Sequence, residues 1–234
     1  MSQGKLILIP NLIGDENFKN VLTEKVIQTI KETNFFIVEN IRNARRYIKR
    51  IVPEKSIDKI TFFAYGKHNS FNLQEDFLQN ILLGNDIGII SEAGVPAVAD
   101  PGSKIVEYAH KFNIKVTPLV GASSILLALM SSGMNGQNFA FNGYLPIEKK
   151  DQIKKIKYLE SICKKTNQTQ IFMETPYRNN KLFNTIINVC NGNTKLCIAS
   201  NITQNNESII TKEIREWKTI KINIDKQPTI FLIS

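Results

Sequence analysis

The chain has 234 residues, 42% of them hydrophobic, and carries a formal net charge of +9 at pH 7. This length is enough for one large domain or two modest ones with real cores, and the apolar content is ordinary for a globular protein. A membrane span is excluded because no apolar run approaches the roughly 18–20 residues that it needs, and the N-terminal MSQGKLILIP is not expected to be a signal peptide because it lacks a long apolar region.

Strands and helices alternate along the first half of the sequence. In chain order the pattern predicts a strand at 5–10, a helix at 17–33, a strand at 35–39, a basic helix at 42–51, a strand at 59–65, a helix at 73–83, a strand at 86–91, a helix from about 103, and a strand at 114–119. Short connections and continuous apolar strands are typical of a parallel sheet with helices on both faces.

The second half begins near Pro118 and is richer in strands. It predicts a helix at 121–132, a strand at 138–145, a basic helix at 149–165, a strand at 169–174, a helix at 176–190, a strand at 195–200, a short strand and turn at 207–214, and a final strand at 228–234. The alternation is less regular here, so we expect a mixed sheet. The fold class is therefore α/β throughout.

The basic excess admits an anionic partner such as a nucleic acid. Four of the arginines lie in IRNARRYIKR, residues 41–50. At helical spacing these charges cover more than one face, so an ordinary solvated helix explains them equally well. The charge alone is weak support for an anionic partner.

The three cysteines, Cys163, Cys190 and Cys197, are odd in number and lack the spacing of metal ligands. We expect buried thiols in a reducing cytoplasm, and no metal site.

A loop of small residues, SEAGVPAVADPGSK at 91–104, follows a buried predicted strand directly. Ligands of open α/β sheets bind beyond the carboxyl ends of the strands, and glycine lets a backbone approach a ligand closely. The loop is therefore predicted to lie against a flat ligand and to bind it mainly through backbone groups. A tight strand–helix turn with Asp100 and Ser103 as caps is an equally good interpretation.

Several familiar site motifs are missing from the sequence. It contains no G-x-G-x-x-G after a strand, no phosphate-binding G-x-x-x-x-G-K-[ST] and no G-x-S-x-G, and it has only two histidines. These absences argue against a Rossmann dinucleotide site, a covalent triad and a metal centre.

Six loops, taken together and in order, resemble the tetrapyrrole methylase superfamily, specifically its branch of small-subunit ribosomal RNA 2′-O-methyltransferases. The branch pattern S-D-A-G-T-P…D-P-G appears as SEAGVPAVADPG, P-L-P-G-P-[SC]-A as PLVGASS, and [EG]-G-F-L-P as NGYLP (142–146). F-Y-E-S-P-H-R appears as FMETPYR (172–178), E-D-T-R as ENIR (39–42), and D-H-N-E as KHNS (67–70). The matches run from about residue 5 to residue 234.

The resemblance implies two α/β domains, 1–117 on the acceptor side and 118–234 on the cofactor side, with S-adenosylmethionine in the cleft between them. It also implies a homodimer and an RNA partner in the small ribosomal subunit. The implied cofactor-binding residues are Ser91, Glu92, Ala93, Gly94, Gly121, Ala122, Ser123, Ser124, Phe172, Met173, Ala199 and Pro228.

A ribose hydroxyl is a poor nucleophile that gains from a base, and the matching loops offer Glu39, His68 and Glu174, with Arg178 beside them. Contacts to the acceptor are expected from three further residues, Asn11, Arg42 and Asn69. Structural roles compete with each assignment. Glu39 could pair with Arg42, His68 could be an exposed loop residue, and Glu174 with Arg178 could tie a strand end to a helix start.

Departures from the family pattern keep three functions open. Tyr177 stands where the pattern has His, and Ser200 and Asn201 stand where it has Arg and Glu in A-R-E-L-T-K. The first expectation is an S-adenosylmethionine-dependent 2′-O-methyltransferase of small-subunit ribosomal RNA. The second is a methyltransferase of a tetrapyrrole or another small anionic acceptor, and the third is a protein that binds S-adenosylmethionine without turnover.

Overall fold

A computed structural model of the chain describes residues 3–14, 17–66, 71–100 and 102–234. The chain forms two compact units, Met1–Ser123 and Ser124–Ser234. The units meet later in the chain than the expected boundary between 117 and 118, because Pro118 still pairs with Leu8 in the first sheet. Among the helices that the structure describes, none combines the length and the apolar content of a membrane span.

The first unit is built on a parallel five-stranded sheet. Its strands are β1 (Leu6–Ile9), β2 (Phe35–Val38), β3 (Thr61–Ala64), β4 (Ile87–Ile90) and β5 (Val116–Pro118). They lie in the order β3-β2-β4-β1-β5, and each neighbouring pair is parallel. All four residues of β4 are buried, which is why the strand reads as an uninterrupted apolar run. The predicted parallel sheet is confirmed.

Helices cover both faces of this sheet. They are α1 (Glu24–Glu32), α2 (Ile41–Ile51), α3 (Gln79–Leu82) and α4 (Ser103–Lys111). Residues of α1 and α2, such as Val26 and Ile48, share a core with Phe36 of β2, whereas Ile81 of α3 and Ile105 of α4 pack on the opposite face. The carboxyl ends of β1, β2, β4 and β5 therefore meet at one edge, where the connecting loops gather.

Two helices begin differently from the expectation. The helix predicted at 17–33 starts only at Glu24, because the Thr23 hydroxyl accepts a bond from the backbone N–H of Val26 (3.4 Å) and sets a new start. A separate 3-10 turn, Phe18–Asn20, precedes it. The helix predicted at 73–83 begins as a π-helical segment, Leu73–Leu78, before it continues as α3.

The second unit contains a mixed sheet, as predicted. Its strands are β6 (Phe139–Tyr144), β7 (Thr169–Met173), β8 (Lys195–Ser200), β9 (Ser208–Glu213) and β10 (Thr229–Ile233), in the order β6-β7-β10-β8-β9. Only the pairing of β6 with β7 is parallel, and the other three pairings are antiparallel.

Four helices pack on this second sheet. They are α5 (Ser124–Ser132), α6 (Lys149–Thr166), α7 (Asn179–Val189) and α8 (Ile214–Trp217). Helix α5 starts later than the predicted residue 121, since residues 121–123 remain in the turn before it. One face of the sheet, including Ala199, packs on α5, and the other, including Ile198, packs on α6, α7 and α8. Neighbouring residues of β8 thus belong to different cores.

The cysteines are free and buried, as expected. Burial raises the pKa of the Cys163 thiol to about 11 and that of Cys190 to about 12. Both side chains therefore stay protonated near neutral pH and act as small apolar core residues.

Candidate active site

The loops after β1 and β4 are joined by one asparagine. The side-chain amide nitrogen of Asn11 donates to the carbonyl of Ser91 (2.8 Å) and to that of Glu92 (3.1 Å), and its backbone N–H donates to the carbonyl of Gly94 (2.8 Å). Its side-chain oxygen accepts from the backbone N–H of Leu12 (2.8 Å). Asn11, expected to bind the acceptor, therefore holds the predicted cofactor loop in place, and its acceptor contact stays a prediction.

Gly94 sits at the tightest point of that loop. Its φ of +66° lies in the left-handed region, and a Cβ there would stand 3.1 Å from the carbonyl oxygen of Ala122. The Ser91 hydroxyl donates to the Gly94 carbonyl (2.7 Å) from a buried position. Glu92 and Ala93 remain exposed, so the surface of this part of the loop is accessible, and their contact with a cofactor stays a prediction.

Two alanines further along the same loop also take left-handed backbone angles. Ala97 has φ 63° and Ala99 has φ 58°. Each costs roughly 1–2 kcal/mol relative to an ordinary conformation, and such strain is found where surrounding structure imposes it, often at functional sites. Loop composition alone did not predict these angles, because nothing but glycine signals them reliably in a sequence.

The turn after β5 lies directly on the end of β1. A Cβ at Gly121 would stand 2.1 Å from the Cβ of Pro10, a distance that real atoms do not reach. Glycine at this position is therefore required by the packing of one loop on another. Residues 121–124 are only partly buried, which leaves the outer side of the turn accessible.

The start of α2 is tied to the same loops by residues that the sequence did not single out. The side-chain oxygen of Asn40 accepts from the backbone N–H of Asn43 (3.1 Å) and begins the helix. The Asn43 amide donates to the Glu92 carboxylate (2.6 Å), and one turn later the Tyr47 hydroxyl donates to the carbonyl of Pro10 (2.6 Å). The spacing of Asn43 and Tyr47 on one helix face was the available signal.

Three carboxyl groups gather beside these loops. Glu39 follows β2 and shares a side-chain hydrogen bond with Asp100, and Glu92 lies close by. Partial burial, then the charge and hydrogen bond of Asp100, and then the charge of Glu92 raise the pKa of Glu39 to about 7. Glu39 is therefore poised to accept or release a proton near neutral pH. Among the described residues, no ion pair joins it to Arg42, whose side chain is exposed.

Two predicted residues of this unit, His68 and Asn69, lie outside the described residues. Within the described ranges, no group of three or more His, Cys, Asp or Glu side chains is placed to hold a metal ion.

In the second unit, Glu174 and Arg178 form an ion pair between the end of β7 and the start of α7. The Glu174 Oε1 accepts from Arg178 Nη2 (2.6 Å), from Arg178 Nε (3.0 Å) and from the backbone N–H of Thr175 (2.7 Å). The Glu174 side chain is 1% exposed. This arrangement matches the structural alternative, because the ion pair ties the end of β7 to the start of α7 and its carboxylate is enclosed.

The other predicted residues of this unit sit at strand and helix ends. The ring of Phe172 is fully buried and stacks on Phe231 (6.0 Å between centroids), so it belongs to the core. Ala199 is also fully buried, whereas Pro228 is exposed and its carbonyl accepts from the backbone N–H of Asn201. Two more predicted residues, Ser124 and Met173, are partly buried. Contacts to a ligand from Phe172 would therefore come from its backbone.

Two of the three positions that depart from the family pattern, Ser200 and Asn201, form hydrogen bonds within the protein. The Ser200 hydroxyl lies 2.9 Å from that of Thr229, and the Asn201 amide donates to the side-chain oxygen of Gln227 (3.1 Å). Asn201 has φ 50°, a conformation that asparagine tolerates better than most residues. Tyr177 is 75% exposed.

Comparison with solved structures defines the class of fold. The chain aligns with the methyltransferase CobJ (TM-score 0.63, 16% identity, covering 99% of this chain and 94% of that one). It also aligns with the cobalt precorrin-4 methyltransferase CbiF (TM-score 0.60, 13% identity, 98% and 94% covered). A uroporphyrin-III C-methyltransferase from Thermus thermophilus, complexed with S-adenyl homocysteine, aligns with TM-score 0.54 at 13% identity and coverages of 99% and 97%. The two-sheet architecture is thus the tetrapyrrole methylase fold, as predicted.

Sequence relatives are more specific. Proteins named ribosomal RNA small subunit methyltransferase I match from Halalkalibacterium halodurans (28% identical, covering 92% of this chain and 70% of the relative) and from Buchnera aphidicola (29%, 92% and 73%). The relative from Streptococcus pyogenes serotype M6 is 31% identical over 87% of this chain and 66% of its own length. No family model matches the sequence. The chain is thus similar over most of its length to proteins named ribosomal RNA small subunit methyltransferase I, which confirms the predicted resemblance and the predicted class of enzyme.

The close approach at Gly121 generates a stability prediction. Gly121→Ala should lower the free energy of unfolding by about 1–3 kcal/mol, because the turn or Pro10 must move to admit the methyl group. Gly136→Ala is the matched control, since a Cβ there meets nothing within 4 Å, and it should stay within about 0.5 kcal/mol of the wild type. Urea unfolding measures both, and equal midpoints would contradict the proposed packing.

The buried ion pair generates a second prediction. Arg178→Ala should destabilise the protein by about 2 kcal/mol, because it leaves Glu174 enclosed without its cation. Lys154→Ala removes the exposed partner of Asp151 and should cost less than about 1 kcal/mol. Thermal and urea unfolding give the comparison. If Arg178→Ala is as stable as Lys154→Ala yet loses methyl transfer, the pair acts in catalysis instead.

Proposed function

We propose that this protein transfers the methyl group of S-adenosylmethionine to a ribose 2′-hydroxyl of small-subunit ribosomal RNA. The observation that carries the proposal is the similarity to methyltransferases named for that RNA over 92% of the chain. The ordered loops at the carboxyl edge of the first sheet give the proposal a physical basis, because they combine accessible backbone with a carboxyl cluster.

The residues of the first unit suit the proposed methyl donor. S-adenosylmethionine supplies a methyl group on a positively charged sulfur, which is its own leaving group. The carboxyl groups of Glu39, Glu92 and Asp100 create a negative local field, which favours a cationic ligand. The exposed backbone at Ala93 and the partly buried turn from Gly121 leave room for a flat ligand. The related Thermus thermophilus enzyme was solved with the demethylated product bound, which supports the choice of donor.

Glu39 is the best-supported base among the three candidates. A base works best when its pKa lies near the working pH, and the pKa of Glu39 is raised to about 7. Glu174 already accepts hydrogen bonds from Arg178 and Thr175. In this role Glu39 takes the proton of the ribose hydroxyl as the oxygen bonds to the methyl carbon, while the carbon–sulfur bond breaks and its electron pair stays on sulfur.

Two basic helices support RNA as the acceptor. On α2 the exposed side chains of Arg42, Arg45 and Arg46 follow directly after Glu39 in the chain. On α6 the side chains of Lys149 and Lys150 are exposed at the first turn. Exposed cationic side chains can contact RNA phosphates, and Arg42, three residues after Glu39 in the chain, is one proposed contact of the acceptor.

We further propose a homodimer in the cytoplasm. The homodimer is supported by the family resemblance and by Leu126 and Met130, which lie one turn apart on α5 and are 54% and 77% exposed. Light scattering should then give twice the chain mass of 26.6 kDa.

The cytoplasmic location is supported by three free buried thiols, which suit a reducing compartment.

The direct test of the proposed function is methyl transfer. Labelled S-adenosylmethionine is incubated with the protein and with small ribosomal subunits from a strain that lacks it, and the label is mapped to a nucleotide. We expect label on a ribose oxygen of the RNA. Label on an added tetrapyrrole instead would favour the second candidate function, and donor binding without any transfer would favour a protein without turnover.

The protonation of Glu39 generates a prediction for the pH profile. At donor concentrations well below saturation, where the rate reports the free enzyme, it should rise with pH and reach half its plateau near pH 7, because only the ionised carboxylate can accept a proton. Glu39→Gln should lower kcat by about 10²- to 10⁴-fold and remove this inflection. Asp100→Asn should move the inflection to lower pH, because it removes a negative neighbour that raises the pKa of Glu39. An unchanged profile in both variants would rule Glu39 out as the base.

The basic helices generate a prediction for salt dependence. Arg46→Ala, Lys149→Ala and Lys150→Ala should each weaken RNA binding and reduce the slope of log affinity against log salt by about one unit per lost phosphate contact. Lys111→Ala with Lys115→Ala is the control, because these exposed lysines lie at the amino end of β5, away from the loops. Donor affinity should not change in any variant. Unchanged slopes in the three test variants would remove the helices from the RNA-binding surface.

A further inference from the structure

The second unit contains a cavity of about 340 Å³. One wall is a face of the paired strands β8 and β9, and the other is formed by Trp217 and the segment 222–227, which leads into β10. This volume falls within the range of ordinary small-ligand sites. The residues that line the cavity are Ile198, Ser200, Asn201, Asn206, Ser208, Ile210, Trp217, Ile222, Asn223, Ile224 and Gln227.

The cavity lies on the opposite face of β8 from Ala199, one of the residues expected to bind the donor. Ile198 of β8 shares a core with Trp217 and Ile224, whereas Ala199 packs with residues of α5 on the other face. Ser200, which lines the cavity, follows Ala199 and points away from it, as alternate residues of a strand do. The cavity therefore lies on the face of β8 that Ala199 does not reach.

The chemistry of the wall is uncharged and rich in amides. The second unit is described throughout, and none of the residues that line its cavity carries a charge. Four carboxamides and two hydroxyls supply hydrogen-bond donors and acceptors, and isoleucine side chains with Trp217 supply the apolar part. Ser200 and Asn201 are the positions where the family pattern has Arg and Glu, so two charged side chains are replaced by neutral ones in this wall.

The polar groups are only partly used within the protein. The Asn201 amide donates to the side-chain oxygen of Gln227, and the Gln227 amide donates to the carbonyl of Asn223 (3.2 Å). The Asn223 oxygen accepts from the amide of Asn180 (2.9 Å) and from the backbone N–H of Asp225 (3.1 Å). These bonds fix the wall, while Asn206 and Ser208 are exposed at its rim.

Such a lining recognises a flat, uncharged ring that carries both donors and acceptors. Carboxamides pair with the edges of nucleobases, and unpaired bases of RNA are commonly bound in pockets with an apolar wall. An anionic ligand would find no cation in this wall to balance its charge. Exposed lysines flank the lining segment at positions 218, 221 and 226, where phosphates on either side of an inserted base could reach them.

We propose that this cavity binds one unpaired nucleobase of the RNA acceptor. The proposal rests on the proposed RNA substrate and adds a sequence-reading contact to it. It assigns affinity for the bases to the cavity and affinity for the phosphates to the lysines and the basic helices.

The test uses a variant that fills the cavity and a matched pair at its rim. Ser208→Phe places a ring in the space from an exposed position of β9, where an aromatic side chain suits a strand. Asn206→Ala removes one rim amide with little risk to the fold, and Asn205→Ala is its control because Asn205 is exposed but does not line the cavity. The full-length protein is titrated with single-stranded RNA of about ten nucleotides and with an abasic strand of the same length.

Wild type and Asn205→Ala should bind the RNA more tightly than the abasic strand. Ser208→Phe should weaken RNA binding at least about tenfold, toward the abasic level, and Asn206→Ala should weaken it in the same direction. Affinity for the abasic strand and for S-adenosylmethionine should not change. If both cavity variants keep the wild-type preference while ribosomal subunits are still methylated, the cavity proposal is wrong and the proposed function stands.

A second measurement does not depend on RNA as the substrate. The four ribonucleosides are added separately to the labelled protein, and the side-chain amide signals of Asn206 and Asn223 are followed by NMR. We expect shifts in wild type with at least one nucleoside, and none in Ser208→Phe. Absence of shifts with all four nucleosides overturns the proposal even if the protein proves not to methylate RNA.

Discussion

Residue 121 has no space for a side chain, and much of the first unit's site depends on that constraint. With glycine there, the turn after β5 rests on Pro10, and a few residues away Gly94 brings its backbone close to the carbonyl of Ala122. The side-chain amide of Asn11 then donates hydrogen bonds to two carbonyl groups of the loop after β4. The three loops contact one another largely through backbone atoms. The surface that they form is therefore held in place without large side chains.

The same packing explains the electrostatics of the site. Because β2 lies beside β4, the residues that follow both strands emerge next to each other, and Glu39 meets Glu92 and Asp100. Like charges at short range cannot all ionise at low cost, so one proton is retained near neutral pH. A cationic ligand would relieve this repulsion. A site that binds a sulfonium and also needs a base can use the same carboxyl groups for both tasks.

The sequence predicted most helices and strands, but it did not predict which segments lie next to one another in space. Strands such as Ile87–Ile90 are buried on both faces and read as plain apolar runs, which is why the two sheets were foreseen. Proximity between Glu39 and Asp100 depends on strand order, which periodicity does not encode. The loop resemblance pointed to the segments after β1, β4 and β5, which the structure brings into contact, but it could not show that Asn11 is engaged within the protein or that Phe172 is a core residue. Those roles follow from contacts between segments far apart in the chain.

Consecutive residues of strand β8 face two different surroundings, the core beneath α5 and the amide-lined cavity. Ala199 packs against α5, and the next residue, Ser200, faces the amide-lined cavity. Since the period of a strand is two, inserting or deleting one residue within β8 would exchange the two faces for the rest of the strand. The length of β8 itself is therefore under tight constraint, whereas the connection that precedes Lys195 can absorb length changes outside the strand.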